Sequence, residues 1–224
     1  ILSNGNITPV RYATMAHAGY FPVEELTTLR KFGSRLQGHP ERHALPGLEN
    51  TSGPLGSGLS KAIGMALGLR MDAQQLAPAA PHVYCLMSDG ELNEGNSWEA
   101  IMFAGKERLR NLTAIIDRNN IQIDGMTEDI MPLEPLADKW RAFNWNVIEI
   151  DGHNFQEIVD AVNRAKATVA KPTVIIANTI AGKGIAEIQY DYKWHGTPPN
   201  ADQAKAWLTE LRTLQGKIEA GHAD

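Results

Sequence analysis

Hydrophobic positions along the chain follow two kinds of pattern. Four stretches, "HVYCLMS" (82–88), "NLTAIID" (111–117), "WNVIEID" (145–151) and "PTVIIANT" (172–179), are nearly continuous apolar runs. Runs that do not alternate predict strands buried on both faces, hence a parallel sheet covered by helices. Between them, residues 96–108, 136–143 and 155–169 carry helical spacing, the last with Ile158, Ala161, Val162 and Ala165 on one side. Upstream, residues 1–10 read as strand and then loop. Residues 11–19 and 23–32 read as short helices, the second with Leu26, Leu29 and Phe32 on one face. Residues 59–70 form a small-residue helix in which Ala62, Gly64, Ala66 and Gly68 permit close packing. The aperiodic stretches 33–58, 73–81 and 119–135 read as loops; connections as long as the first are usually functional or disordered. An amphipathic helix over 202–218 sets Ala204, Trp207, Leu208, Leu211 and Leu214 on one stripe, and is expected to pack on the sheet or on a partner. The expected fold class is α/β, a parallel central sheet flanked by helices on both faces, as a single domain over residues 1–224 with a tail at 198–224.

Composition narrows the function. The 224 residues suffice for one substantial domain. A net charge of -5 without a Lys/Arg run offers no basic face, so neither nucleic acid nor anionic lipid is an expected partner. An anionic ligand must then be held locally, by backbone amides, a few histidines or a metal. The one cysteine, Cys85, excludes an internal disulfide and fits a reducing compartment, so a cytoplasmic location is expected. It sits inside an apolar strand, where a small buried residue is the better reading than a nucleophile. No apolar run approaches the ~18 residues of a membrane span. The sequence opens on Ile1 in what reads as the middle of a fold, so further residues are expected upstream.

Chemistry concentrates where the strands end. The first long run breaks into Asp89-Gly90 and continues as a helix carrying Glu91, Glu94 and Glu99. About thirty positions on, the next strand ends at Asp117, followed by Arg118, Asn119 and Asn120. One strand–helix–strand crossover consumes about that length, so Asp89 and Asn119 reach neighbouring strand tips, ~5 Å apart if the strands pair directly and ~10 Å otherwise. Ligands of parallel sheets sit beyond those tips. A carboxylate and an amide are hard oxygen donors, suited to Mg²⁺ or Ca²⁺ and not to zinc. Gly90 lets the backbone approach a phosphate closely, and the following turn is expected to offer amides toward it. Taken singly, Asp-Gly and Asn-Asn are ordinary turns; their joint spacing is what is unusual.

That spacing resembles the metal–diphosphate motif of thiamine-diphosphate enzymes, and the detail resembles transketolase. The motif "SDGELNEGNSWEA…AIIDRNNIQIDG" is accompanied in order by "GHPE" (38–41), "TSGPLGSGLSKAIGMALG" (51–68), "IDGHN" (150–154), "TIAGKG" (179–184) and "WHG" (194–196). The resemblance covers residues 2–197 and corresponds to the N-terminal, diphosphate-binding domain of that family. It implies a metal held by Asp89, Asn119 and the backbone carbonyl of Ile121, Gly90 against the diphosphate, Gly53, Pro54 and Leu55 lining the cofactor, and Ile123 packed on its rings. His39 and His195 would face the reacting carbons as catalytic groups, since imidazole titrates near neutrality. Glu94 and Glu99 match interface positions through which paired active sites communicate. Each has a plainer alternative: a loop-capping role for either histidine, and first-turn acids favoured by the helix dipole for Glu91, Glu94 and Glu99. His153 and Lys183 read as a structural turn residue and an exposed loop lysine.

One position departs from the family. Where the family has histidine after Ser-X-Gly, this chain has Asn6. As a cofactor-site residue, Asn6 donates a hydrogen bond but exchanges no proton near pH 7. The implied activity is transfer of a two-carbon ketol unit from a ketose or ketose phosphate to an aldose acceptor, with thiamine diphosphate and Mg²⁺ (or Ca²⁺). In the family, a glutamate that activates the cofactor lies in a second domain, for which the stretch after His195 is too short. The expected arrangement is therefore a split transketolase, a separate C-terminal subunit completing the site in an α2β2 heterotetramer, with a longer protein cut at this point as the alternative. Alternatives are a 1-deoxyxylulose-phosphate synthase-like or 2-oxo-acid dehydrogenase-type thiamine enzyme, and a non-catalytic regulatory module keeping the fold.

Overall fold

The computed structural model describes residues 1–76 and 80–220. Four parallel strands form the central sheet: β1 (Val83–Ser88), β2 (Leu112–Arg118), β5 (Asn146–Asp151) and β6 (Thr173–Asn178), in the order β1-β2-β6-β5. A two-stranded hairpin, β3 (Ile121–Gln122) with β4 (Gly125–Met126), stands apart from it. The continuous apolar runs have the cause inferred from sequence. Alternate side chains go to opposite faces, and both faces of the inner strands are covered. On one face Cys85, Met87, Ala114, Ile116, Val174 and Ile176 pack under α2 (Ser57–Leu76), α3 (Gly95–Glu107) and α5 (Leu136–Ala142). On the other, Ile148, Ile150, Ile175 and Ala177 pack under α6 (Phe155–Ala167).

Strand register sets the position of the site. Ser88 pairs with Asp117, Asp117 with Ala177, and Asp151 with Asn178. All four strands therefore end along one edge, and β1 and β2 are direct neighbours, the closer of the two spacings considered for Asp89 and Asn119.

Local structure departs from the sequence reading in four places. Residues 1–10 hold only an isolated bridge, Leu2 with Leu86, before helix α1 (Thr8–His17) begins. Its early start follows from Pro9, which suits a first helical turn whose amide has no partner in any case. The expected helix over 23–32 is a short 3₁₀ segment, Val23–Thr28, with no buried residue, and Phe32 lies fully exposed. The loop over 119–135 contains the β3–β4 hairpin and the single-turn α4 (Thr127–Ile130). Helix α2 runs on to Leu76, into residues expected to be surface loop; positions 77–79 of that loop lie outside the described residues. Helix α7 (Ala201–Ala220) follows the expected helix over 202–218. Trp207 is buried edge-on against Trp194, 5.0 Å between ring centroids, while Leu208 and Leu211 are exposed. The side chain of Leu214 lies outside the described residues.

Candidate active site

Asp89 is the pivot. It caps the 3₁₀ turn Gly90–Asn93 at the tip of β1 and is completely buried. Its Oδ1 accepts from the Gly90 amide at 2.7 Å. Its Oδ2 accepts from the Asn120 amide at 2.7 Å and from Arg118 Nη1 at 3.1 Å. Burial pushes the Asp89 carboxyl up from the ordinary carboxylate range, against the opposing pull of the Asn120 amide, Arg118 and the Gly90 amide. With a guanidinium in contact it is one half of a buried ion pair.

Arg118 is the residue that sequence reasoning passed over. Only 3% exposed, it reaches four acceptors: Asp89, Thr127 Oγ1 at 2.8 Å, Glu128 Oε1 at 2.8 Å and Glu134 Oε1 at 3.0 Å. Burial alone would lower its pKa, yet hydrogen bonds to Glu128, Glu134 and Asp89 leave it raised. Four acceptors on one fork tie the tip of β1 to the segment after the hairpin. No spacing in the sequence marks it; its role appears only when the register of β1 on β2 sets it beside Asp89.

Beside this pair, the Asn119 amide donates to Asp117 Oδ2 at 3.2 Å, and its Oδ1 accepts from the Ile121 amide at 3.0 Å. Thr179 Oγ1 donates to the other oxygen of Asp117. A Cβ placed on Gly90 would sit 3.3 Å from Gln122 Cβ and 3.9 Å from the Ile121 carbonyl oxygen, so the hairpin lies directly against the glycine. The amides of the turn after Asp89 have acceptors within the fold. Those of Gly90, Glu91 and Leu92 are taken by Asp89 Oδ1, Ser88 Oγ and the Asp89 carbonyl.

Above the buried pair opens a cavity of about 440 Å³. It is lined by six of the residues picked out from sequence: Asn6, Leu55, Gly90, Asn119, Ile123 and His195. Ile123 is 67% and Leu55 39% exposed, which leaves large apolar side chains uncovered at the mouth. His195 follows the 3₁₀ segment Tyr192–Trp194, held in place by Trp207 of α7. Five other residues singled out from sequence do not line the cavity. Asp89 and Ile121 are buried beneath it, Gly53 adjoins His39, whose ring approaches to 4.0 Å of a Cβ placed on Gly53, and exposed Pro54 follows Gly53 in the chain.

The three glutamates separate. Glu91 is 1% exposed and lines the cavity, whereas Glu94 and Glu99 are exposed at the start of α3, with Glu94 beside Gly56. His153 Nε2 accepts from the Ile180 amide at 2.8 Å, joining the loops after β5 and β6 as a structural residue. Lys183 is exposed.

The three donors expected for a metal, the Asp89 carboxylate, the Asn119 amide and the Ile121 carbonyl, are hard oxygens without sulfur or imidazole, and the carboxylates of Glu91 and Asp117 also line the cavity. A carboxylate offers about four lone-pair positions, and three are used here on Asp89. Asn4 Oδ1, buried in a side chain that lines the cavity, has no hydrogen-bond partner. Among the described residues no helix is long and apolar enough to cross a membrane.

Comparison with known proteins agrees with this geometry. The profile of the family "Transketolase, thiamine diphosphate binding domain" matches residues 1–214. A 6-deoxy-6-sulfo-D-fructose transketolase subunit of Clostridium sp. is 46% identical over 94% of this chain and 75% of that protein. One of the apulose-4-phosphate transketolase subunits of Phocaeicola vulgatus is 38% identical over 98% of this chain and 76% of that one. Among solved structures, the transketolase of Campylobacter jejuni superposes with a TM-score of 0.87 at 33% identity, over 94% of this chain and 33% of its own. The transketolase of Pichia stipitis in complex with sedoheptulose-7-phosphate gives 0.88 at 34% identity, over 96% and 32%. The chain spans about a third of each of these solved enzymes. A parallel sheet ending in a buried aspartate under a glycine-floored cavity, matched over nearly its whole length, places the chain in the transketolase family as its thiamine diphosphate binding domain.

Proposed function

We propose that the chain is the N-terminal subunit of a split transketolase, binding thiamine diphosphate and Mg²⁺ for transfer of a two-carbon ketol unit from a ketose to an aldose. The supporting observation is the cavity at the tips of β1 and β2, where Asn6, Leu55, Gly90, Asn119, Ile123 and His195 converge above Asp89. Asp89, Asn119 and the Ile121 carbonyl would hold the metal. Thiamine diphosphate, when bound, supplies the carbon nucleophile that cleaves the ketose between C2 and C3.

This chain's residues bind, orient and move protons. Gly90 and Gly53-Pro54-Leu55 receive the cofactor closely, and Ile123 gives its rings an apolar face. His195 and His39, both exposed, are the groups able to exchange protons with substrate hydroxyls. Asn6 orients by hydrogen bonding where a histidine would also titrate. Glu94 stands outside the cavity on the exposed edge of α3, so its part in catalysis is exerted across a subunit contact.

The uncovered Ile123 and Leu55 suit a second chain closing over the cofactor, in keeping with relatives named as subunits and with an α2β2 assembly. Those relatives are named for ketoses with a sulfonate or phosphate, and a ketose with such a terminus is the proposed donor. Burial pushes the Cys85 thiol up to about 12, an inert side chain suited to the cytoplasm.

The test is co-expression with the chain carrying the second domain, titration of thiamine diphosphate with Mg²⁺, and a two-carbon transfer assay over neutral, phosphorylated and sulfonated ketoses. Cofactor-dependent transfer by the pair, lost in Asp89→Ala, is expected. Unchanged Mg²⁺-dependent binding by Asp89→Ala refutes the ligand set.

A further inference from the structure

Glu91 takes no part in the metal or proton chemistry above, yet it is among the most enclosed carboxylates of the fold, 1% exposed at the cavity wall. One of its oxygens, Oε1, accepts from two distant segments. Ser3 Oγ donates to it from the N-terminal segment, and the Gly56 amide donates at 2.6 Å from the turn that follows Leu55. Its own backbone belongs to the Asp89–Gly90 turn, with its amide on Ser88 Oγ and its carbonyl accepting from Ser97 Oγ at 3.1 Å. Three pieces of chain that each bring residues to the cavity thus meet on one carboxyl group: 3–6 with Asn4 and Asn6, 53–56 with Leu55, and 88–91 with Gly90.

These segments fit only in this arrangement. Gly56 has φ +77°, and a Cβ there would meet Asn96 Oδ1 at 2.0 Å. A Cβ on Gly58 would meet Ser3 Oγ at 2.2 Å, and one on Gly5 the Ser52 carbonyl carbon at 2.8 Å. Ser52 Oγ closes the same junction by donating to the carbonyls of Leu2 and Ser3. The Gly56 amide is buried in a left-handed turn and needs an acceptor, and Glu91 is that acceptor.

We infer that Glu91 is a positioning residue that fixes the Gly53–Gly56 turn and the Asn4–Asn6 segment onto the Asp89–Gly90 turn, so that the cofactor cavity exists in its binding shape before ligand arrives. Reach and acceptor geometry carry this role. It rests on the cofactor reading above, and two measurements separate the two ideas.

The first is hydrogen–deuterium exchange at the Gly56 amide in the complex with the partner chain, without cofactor. The second is the Kd for thiamine diphosphate at saturating Mg²⁺. Glu91→Gln keeps an acceptor oxygen at the same reach, and is expected to protect Gly56 and to bind within about threefold of wild type. Glu91→Asp keeps the charge but falls one methylene short. It is expected to expose Gly56 to faster exchange and to weaken the cofactor about tenfold or more, and Glu91→Ala to do the same. Should Glu91→Ala not fold, the Asp and Gln variants decide. Wild-type exchange and affinity in Glu91→Asp overturn the inference. So does a Glu91→Gln as weak as Glu91→Asp, which would assign the effect to charge. Failure of the wild-type pair to bind thiamine diphosphate instead defeats the cofactor reading, and the exchange result still judges the clamp.

Discussion

Replacing Arg118 by methionine isolates the interaction on which the metal ligand depends. The guanidinium is 3% and the Asp89 side chain 0% exposed, so the substitution strands a carboxylate that water cannot reach. Breaking one side of a buried pair costs about 3–5 kcal/mol. Two main-chain donors, the amides of Asn120 and Gly90, stay on Asp89 and place the expected cost near the lower limit, about 3 kcal/mol. Glu128 and Glu134, 39% and 57% exposed, return to solvent and add at most about 1 kcal/mol. For a chain of this size the thermal midpoint falls by roughly 6–12 °C. The assay is urea unfolding at neutral pH with an unchanged m-value. The decisive arm is the double variant Asp89→Asn/Arg118→Met. If the damage comes from an unpaired buried charge, neutralising Asp89 recovers part of it, giving a coupling energy of about 1–3 kcal/mol. Strict additivity, or a single-variant loss under about 0.5 kcal/mol, refutes the ion-pair account of Asp89.

Two further outcomes follow from packing and titration. Gly105 of α3 lies where a Cβ would stand 1.8 Å from the Phe143 carbonyl oxygen, a backbone atom with little freedom to yield, so Gly105→Ala is expected to cost about 3 kcal/mol or more, seen as a lowered urea midpoint. Burial, with Lys166 nearby, lowers the pKa of half-buried His82, whose Nε2 lies 2.8 Å from Thr113 Oγ1. The folded chain therefore binds fewer protons than the unfolded chain just below the ordinary histidine value of about 6.5. This contribution is complete above that value and is lost as pH falls through it toward the folded pKa. His82→Gln should flatten that part of the stability–pH profile, and an unaltered slope contradicts the assignment.

The sheet was legible because its strands are buried on both faces, which writes them as unbroken apolar runs, and because helices such as α6 carry a stripe and the cap Asn154, whose side chain accepts from the Gln156 and Glu157 amides. The cavity was legible as separate motifs, since Asp89, Asn119, Gly90 and Ile123 keep their spacing while the register of β1 on β2 brings them together. Side chains that acquire their roles only across that register were not legible. Arg118 and Glu91 look like ordinary charged residues until Asp89, Ser3 and Gly56 are placed beside them. The segment 23–32 misled because its Leu26 and Leu29 are only partly buried, against the small cluster around Tyr12 and Leu36, too little to hold a full helix. On α7, Trp207 anchors the helix by meeting Trp194 and donating to Glu187 Oε2 at 3.0 Å, while Leu208 and Leu211 stay exposed.

The most direct test of the account is a crystal of this chain with its partner, thiamine diphosphate and Ca²⁺ in place of Mg²⁺. One calcium is expected at the tips of β1 and β2, about 2.3–2.6 Å from an Asp89 carboxylate oxygen, Asn119 Oδ1 and the Ile121 carbonyl, and bridging to the diphosphate. A cofactor-bound calcium lying away from Asp89, or a diphosphate seated elsewhere on the sheet, contradicts it.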